Sequence, residues 1–312
     1  MVRTIKLSDG KKIPSLAWGN GTSGLSRQTD LSRECGVTAL KAGFVHIDTA
    51  QGYGTEGATG DAIREVGKNR NDIWVTTKIS DKLSSEVDAI RKSVMASLDS
   101  LQFKPNLLLV HNPFVPNDGK IAQFWTALEE LVFEGTLEGV SLGVSNFRPQ
   151  DLKAVLEVAR IKPVVNQLEY HPYVLAHLEP LLKLQAEHQI VTEAYGPLTP
   201  VLRHPDGGPL KPILERIAER LSKEAGKPVN ATDVLILWTI QNNVVAVTTS
   251  KTPERIHKLI EIDGLPDLTK EELDEITQVG KTYHYRYYHE HMSEDFPPPN
   301  LPTIPSTKLK KK

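Results

Sequence analysis

Cysteine is nearly absent from this sequence: Cys35 stands alone among 312 residues. No intrachain disulfide can form, and CxxC metal sites are excluded. Nothing near Cys35 supplies the partner histidine or oxyanion site that a catalytic thiol needs, so it reads as a small buried hydrophobe. A charge excess of one sign is also missing. Lys and Arg number 37 against 39 Asp and Glu, a formal net charge of −2. That leaves no electrostatic footprint for nucleic acid or an anionic membrane surface. Long apolar runs are lacking too. The opening segment MVRTIKLSDGKKIP has no signal-peptide core, and no window approaches the roughly 18 apolar residues of a membrane span. The expectation is a soluble, cytoplasmic chain whose partner is a small molecule.

What is present has a globular balance: 39% hydrophobic and 24% charged residues, which excludes wholesale disorder. Thr4–Leu7 and Lys12–Pro14 flank the turn cluster Ser8-Asp9-Gly10, a hairpin over about residues 4–14. Short apolar, β-branched runs then recur: Ser15–Gly19, Phe44–Asp48, Ile73–Lys78, Asn106–His111, Gly139–Ser145, Val164–Glu169, Ile190–Tyr195 and Val244–Ser250. They lack polar alternation, as strands buried on both faces do. Amphipathic stretches lie between them. Ser85–Leu101 puts Val87, Ile90, Val94, Leu98 and Leu101 on one face. Ala122–Phe133 and Pro149–Arg160 read the same way, and Asn230 with Asp233 caps a helix over Ala231–Gln241.

Eight such strands alternating with helices predict a (β/α)8 TIM barrel, one domain over residues 1–312. The competing open dinucleotide-binding sheet has weak support: Gly19, Gly21 and Gly24 fit G-x-G-x-x-G, but no acidic residue closes the next strand at the required distance. From about residue 281 the chain changes character. Tyr283, Tyr285, Tyr287 and Tyr288 are four of its eight tyrosines, and a proline run and the basic segment Lys308–Lys312 follow. This reads as a tail over one end of the barrel. His284, His289 and His291 lack a fourth ligand of fixed spacing, so no metal is expected. His171, before Pro172, reads as capping a strand end.

Barrel enzymes carry their chemistry at the C-terminal ends of the strands. There stand Asp48 with Tyr53 just beyond, Lys78, His111, Ser145-Asn146, Gln167 and Tyr195. A phenol is a poor acid at neutral pH. A nearby ammonium eases its ionisation, a carboxylate holds the ammonium, and a histidine can orient a carbonyl. Asp48, Tyr53, Lys78 and His111 together therefore read as a proton-donor constellation.

The sequence resembles the aldo-keto reductases along almost its whole length. The resemblance rests on His46-Ile47-Asp48-Thr49-Ala50 with Tyr53-Gly54, Thr76-Thr77-Lys78, Leu109-Val110-His111, and Gly143-Val144-Ser145-Asn146-Phe147. Asn166-Gln167, Glu169-Tyr170-His171-Pro172, Ala194-Tyr195-Gly196-Pro197-Leu198 and Thr252-Pro253-Glu254-Arg255-Ile256 complete it. Within the family it is most similar to fungal conjugated polyketone and α-keto amide reductases. The resemblance implies NADPH/NADP+ as cofactor, Tyr53 as general acid tuned by Lys78 and Asp48, and His111 orienting the carbonyl. It implies that Ser145, Asn146 and Gln167 hold the carboxamide and that Tyr195 stacks on the nicotinamide. Gly19, Asn20, Pro197, Leu198, Thr249 and Ser250 would line the cofactor, and Lys251 or Arg255 would meet the 2′-phosphate.

Several positions depart from the family pattern. Asn20-Gly21 replaces a frequent Thr-Trp, Asn112 a frequent Trp, Gly196 a Ser, and Thr249 a frequent Lys. Gly21 and Asn112 then predict an open, more polar carbonyl pocket, suited to bulky or activated ketones such as diones, α-keto lactones and α-keto esters. The alternative function is a nucleotide-binding regulatory barrel without catalysis, which would not need the intact acid. A phosphate-handling isomerase would need a Gly-rich site after the seventh and eighth strands, which Thr248-Thr249-Ser250 does not provide. The expected assembly is a monomer or weak homodimer.

Overall fold

The computed structural model describes residues 2–292 and 295–304, so Lys308–Lys312 lies outside it. Its centre is a closed barrel of eight parallel strands. In chain order these are β3 (Leu16–Gly19), β4 (His46–Asp48), β5 (Trp74–Ile79), β6 (Leu107–Val110), β7 (Ser141–Ser145), β8 (Val165–Glu169), β9 (Val191–Tyr195) and β10 (Val245–Thr248). Each pairs with the next, and β10 closes on β3. Nearly every strand residue is buried, which is why the runs carry no polar alternation.

Helices cover the outside: α1 (Thr29–Ala42), α2 (Glu56–Val66), α3 (Val87–Leu101), α4 (Ile121–Phe133), α5 (Pro149–Leu156) and α6 (Leu175–Glu187). The short α7 (Thr199–Leu202) follows, then α8 (Lys211–Ala225), α9 (Ala231–Gln241), α10 (Pro253–Ile260) and α11 (Lys270–Lys281). Helix α3 buries Ile90, Val94 and Leu101 on one face. Asn230 and Asp233 form a capping box that starts α9. Helix α5 begins at Pro149 but ends at Leu156, four residues short of the sequence expectation.

Strand periodicity places the site. Side chains two apart face the same way, so one parity along each strand fills the barrel. Its lower layer is Trp74, Leu107, Leu109, Val165, Val191 and Val245. The hairpin β1 (Thr4–Lys6) and β2 (Lys12–Pro14) seals that end with Ile5, Leu7 and Ile13. Lys11 of the hairpin donates to the Gly139 carbonyl (2.7 Å) and to Ser141 Oγ (2.9 Å). One step up the same parity come His46, Thr76, Gly143, Gln167 and Glu193; one step further come Asp48, Lys78, His111, Ser145 and Tyr195. The polar residues are thus lifted to the open end of the barrel.

Candidate active site

A cleft of about 460 Å³ opens at the C-terminal ends of the strands. Asp48, Tyr53 and His111 lie in its floor, and Lys78 is buried beneath them. Lys78 Nζ donates to both oxygens of Asp48 (2.7 and 2.9 Å) and to the Thr49 carbonyl (2.9 Å). These contacts fix the charge in place. It sits 4.8 Å from the centre of the Tyr53 ring. Burial opposes the ammonium, but Asp48 and Tyr53 outweigh it and hold Lys78 above its ordinary value.

Tyr53 differs from the simplest expectation for an ammonium-tuned phenol. Burial raises its pKa more than Lys78 lowers it, so the phenol lies above its ordinary value and keeps its proton at neutral pH. His111 meets Tyr53 edge-on, with ring centres 5.5 Å apart. Burial, then Lys78 and His291, push His111 down to about 3, so its imidazole is neutral.

The upper strands supply amides and hydroxyls. Gln167 Nε2 donates to Asp48 Oδ2 (2.8 Å), and Ser145 Oγ donates to the Gln167 carbonyl (3.0 Å). Asn146 is held at φ +60°, a left-handed conformation uncommon outside glycine. Its amide donates to the His111 carbonyl (3.1 Å), and its Oδ1 accepts from Tyr195 OH (2.7 Å). Gly19, Pro197, Leu198 and Thr249 line the same cleft.

Four expected contacts are not brought to it. Asn20 is buried in a knot in which its amide donates to Thr59 (2.9 Å) and its carbonyl accepts from Thr55 (2.8 Å). Ser250 Oγ accepts from the Thr252 amide (3.2 Å). Lys251 and Arg255 are exposed outside the cleft lining. Gly21 does line the cleft, but a Cβ there would stand 2.5 Å from the Tyr53 ring. The missing side chain seats the phenol instead of widening the cavity. Asn112 lines the cleft with its Oδ1 committed to the Phe114 amide (2.9 Å).

Two buried clusters were not anticipated. Glu193 lies wholly buried on β9, 3.6 Å from His46 Nε2. Burial, then Asp48, push Glu193 up to about 8, so the uncharged acid is favoured at neutral pH beneath Asp48. An ionisable residue inside a run buried on both faces was the available signal for both Glu193 and His46. The second cluster is Glu169, at the end of β8. It accepts from the Tyr287 and Tyr288 amides (2.8 and 3.1 Å) and from Arg286 (3.2 Å), and His171 Nε2 lies 3.1 Å away. His171 is thus a buried partner of this carboxylate. The cluster pins the tail so that Tyr288, Glu290 and His291 form one wall of the cleft.

Residues 17–281 match the Aldo/keto reductase family. The chain belongs to that family. It is 32% identical over 292 residues to an NAD/NADP-dependent indole-3-acetaldehyde reductase of Schizosaccharomyces pombe, covering 91% of this chain and 98% of the relative. It is 34% identical over 286 residues to an NADPH-dependent alpha-keto amide reductase of Saccharomyces cerevisiae, covering 88% and 89%. A crystal structure of an aldo/keto reductase from Brucella melitensis superposes with a TM-score of 0.74 at 32% identity, covering 89% of this chain and all of the other. The barrel, the hairpin at its base and the cleft above it are thus those of an aldo/keto reductase. No helix among the described residues is long and apolar enough to cross a membrane.

Proposed function

We propose that the protein is an NADPH-dependent carbonyl reductase in which Tyr53 protonates the carbonyl oxygen. The observation that carries this is Lys78: a fully buried ammonium, held by Asp48 and the Thr49 carbonyl and fixed beneath the ring of a protonated phenol. The phenol keeps its proton in the resting enzyme because burial disfavours phenolate. As negative charge develops on the carbonyl oxygen, that oxygen becomes the stronger base and takes the proton. Lys78 then stabilises the phenolate left behind.

The lining fits a nicotinamide dinucleotide. Thr199 lines the cleft, and its Oγ1 has no hydrogen-bond partner among the described residues. Gly19 and Gly196 leave bare backbone in the wall. Ser145, Asn146 and Gln167 would hold the carboxamide, and Tyr195, anchored through Asn146, would pack against the ring. When bound, the reduced cofactor supplies the hydride. Arg255 lies in the first turn of α10, whose N-cap Thr252 makes no side-chain cap and whose first residue is Pro253. Those uncapped amides and the Arg255 guanidinium suit a 2′-phosphate.

The substrate class we favour is an activated ketone: a dione, α-keto lactone or α-keto ester. Asn112, Tyr288, Glu290 and His291 make a polar wall that can meet a second oxygen beside the reacting carbonyl. NADPH consumption with such ketones and with simple aliphatic aldehydes tests the reading. Diones should be reduced with the higher kcat/KM, and Arg255→Ala should raise the KM for NADPH roughly 10- to 150-fold while sparing NADH. Tight NADPH binding with no turnover of any carbonyl would identify a regulatory barrel instead.

A further inference from the structure

His111 has a partner outside the catalytic four. Ser80 lies one residue beyond β5, and its Oγ is 2.6 Å from His111 Nδ1. A neutral imidazole carries one proton, on either nitrogen, and the other nitrogen is an acceptor. The bond to Ser80 decides which. Among the described residues the Ser80 hydroxyl has two acceptors in reach: His111 Nδ1 at 2.6 Å and the Lys78 carbonyl at 3.4 Å. Good O–H···O bonds run to roughly 3.0 Å, so the carbonyl is too far to compete. A hydroxyl proton directed at Nδ1 leaves the ring proton on Nε2.

Nε2 makes no hydrogen bond among the described residues, and His111 lines the cleft beside Tyr53. We infer that Ser80 is a positioning residue that holds His111 as the Nε2–H tautomer, so that His111 donates to the same carbonyl oxygen that Tyr53 protonates. In the opposite tautomer a bare Nε2 would face the carbonyl lone pairs and repel them. Ser80 is itself held in place. Its amide donates to Gln51 Oε1 (3.0 Å), and Gln51 Nε2 donates to Ser97 Oγ (2.8 Å) and the Ser93 carbonyl (3.0 Å). A Cβ on Gly52 would stand 3.0 Å from the Ser80 Cβ, so the serine packs closely on that turn.

This inference rests on the reductase reading, and its test separates the two. Enzyme labelled with ¹⁵N-histidine, with His111→Asn used to assign the resonance, reports the tautomer by NMR without any turnover. Wild type should show pyridine-type Nδ1 and pyrrole-type Nε2 for His111. Ser80→Ala should shift the ring to a mixture or to Nδ1–H. Its kcat with a dione should fall roughly 10- to 100-fold, below the loss seen on removing an oxyanion donor outright, with NADPH binding unchanged. Ser80→Thr, which keeps the hydroxyl, should retain the wild-type tautomer and most of kcat. An Nδ1–H ring in wild type, or a Ser80→Ala enzyme with unchanged tautomer and kcat, overturns the inference. The expected tautomer in an enzyme that reduces no carbonyl supports the Ser80 assignment and overturns the reductase reading alone.

Discussion

A Cβ added at Gly21 would stand 2.5 Å from Cε2 and Cζ of Tyr53, closer than any real contact allows. Gly21→Ala should therefore displace the phenol from Lys78 and His111. Kinetics should show kcat down about tenfold or more, with a stability cost of about 1–3 kcal/mol at most, because the ring can swing into the cleft. Wild-type kcat in that variant would show that the ring position does not matter. At this scale the sequence made the gathering of Asp48, Tyr53, Lys78 and His111 legible, because strand ends meet at one face of a barrel. It did not disclose the role of Gly21, since a glycine says nothing of which ring fills its space. The orientation of Asn20 was hidden for a related reason: a loop amide can turn to the cleft or to Thr55 and Thr59, and only packing decides.

The tail is the element with the most specific anchorage. Arg286 reaches a carboxylate 117 positions earlier, at the end of β8. Burial alone would raise Glu169, but His171, Arg286 and the Tyr287 amide outweigh it and keep its carboxyl below the ordinary value. The latch sets Tyr288 edge-on to Tyr195, ring centres 5.2 Å apart. Arg286→Met should loosen the tail while Glu169 keeps its two amide donors. Limited proteolysis should cut after about residue 281 faster than in wild type, and the KM for ketones should rise several-fold with NADPH binding unchanged. An unchanged KM would show that the tail does not shape the carbonyl pocket. Eight buried runs made the strands legible in the sequence, and Pro149 and the Asn230–Asp233 pair gave two helix starts. Helix ends were harder, as α5 shows, because nothing in Glu157–Arg160 marks a stop. That a tail covers the barrel was legible from its composition; its anchor was not, because Glu169 and Arg286 are joined only by the fold.

Across the whole molecule, buried histidines set the response to acid. Burial is the first cause in each case: it pushes His46, His177 and His284 down to about 4 and His111 to about 3. The unfolded chain takes up a proton on each near pH 6.5, the folded chain only near those lower values. Their cost is thus absent above pH 6.5 and grows as pH falls toward 4. Glu193, raised to about 8, acts on the other limb. The unfolded chain releases that proton near pH 4.5 and the folded chain retains it, so stability declines as pH rises between these values. Thermal melts should show Tm falling below pH 6.5, and Glu193→Gln should raise Tm more at pH 8 than at pH 5. A Tm difference independent of pH would mean that Glu193 is ionised in the folded state. The most direct measurement of the central claim is Tyr53→Phe, which removes only the phenolic hydroxyl. Its kcat/KM for a dione and its Kd for NADPH should be read side by side. The phenol as proton donor predicts a loss of roughly 10²–10⁴-fold in kcat/KM with the NADPH Kd within about twofold of wild type. A loss below about tenfold, or one matched by an equal loss of NADPH binding, would contradict Tyr53 as the acid.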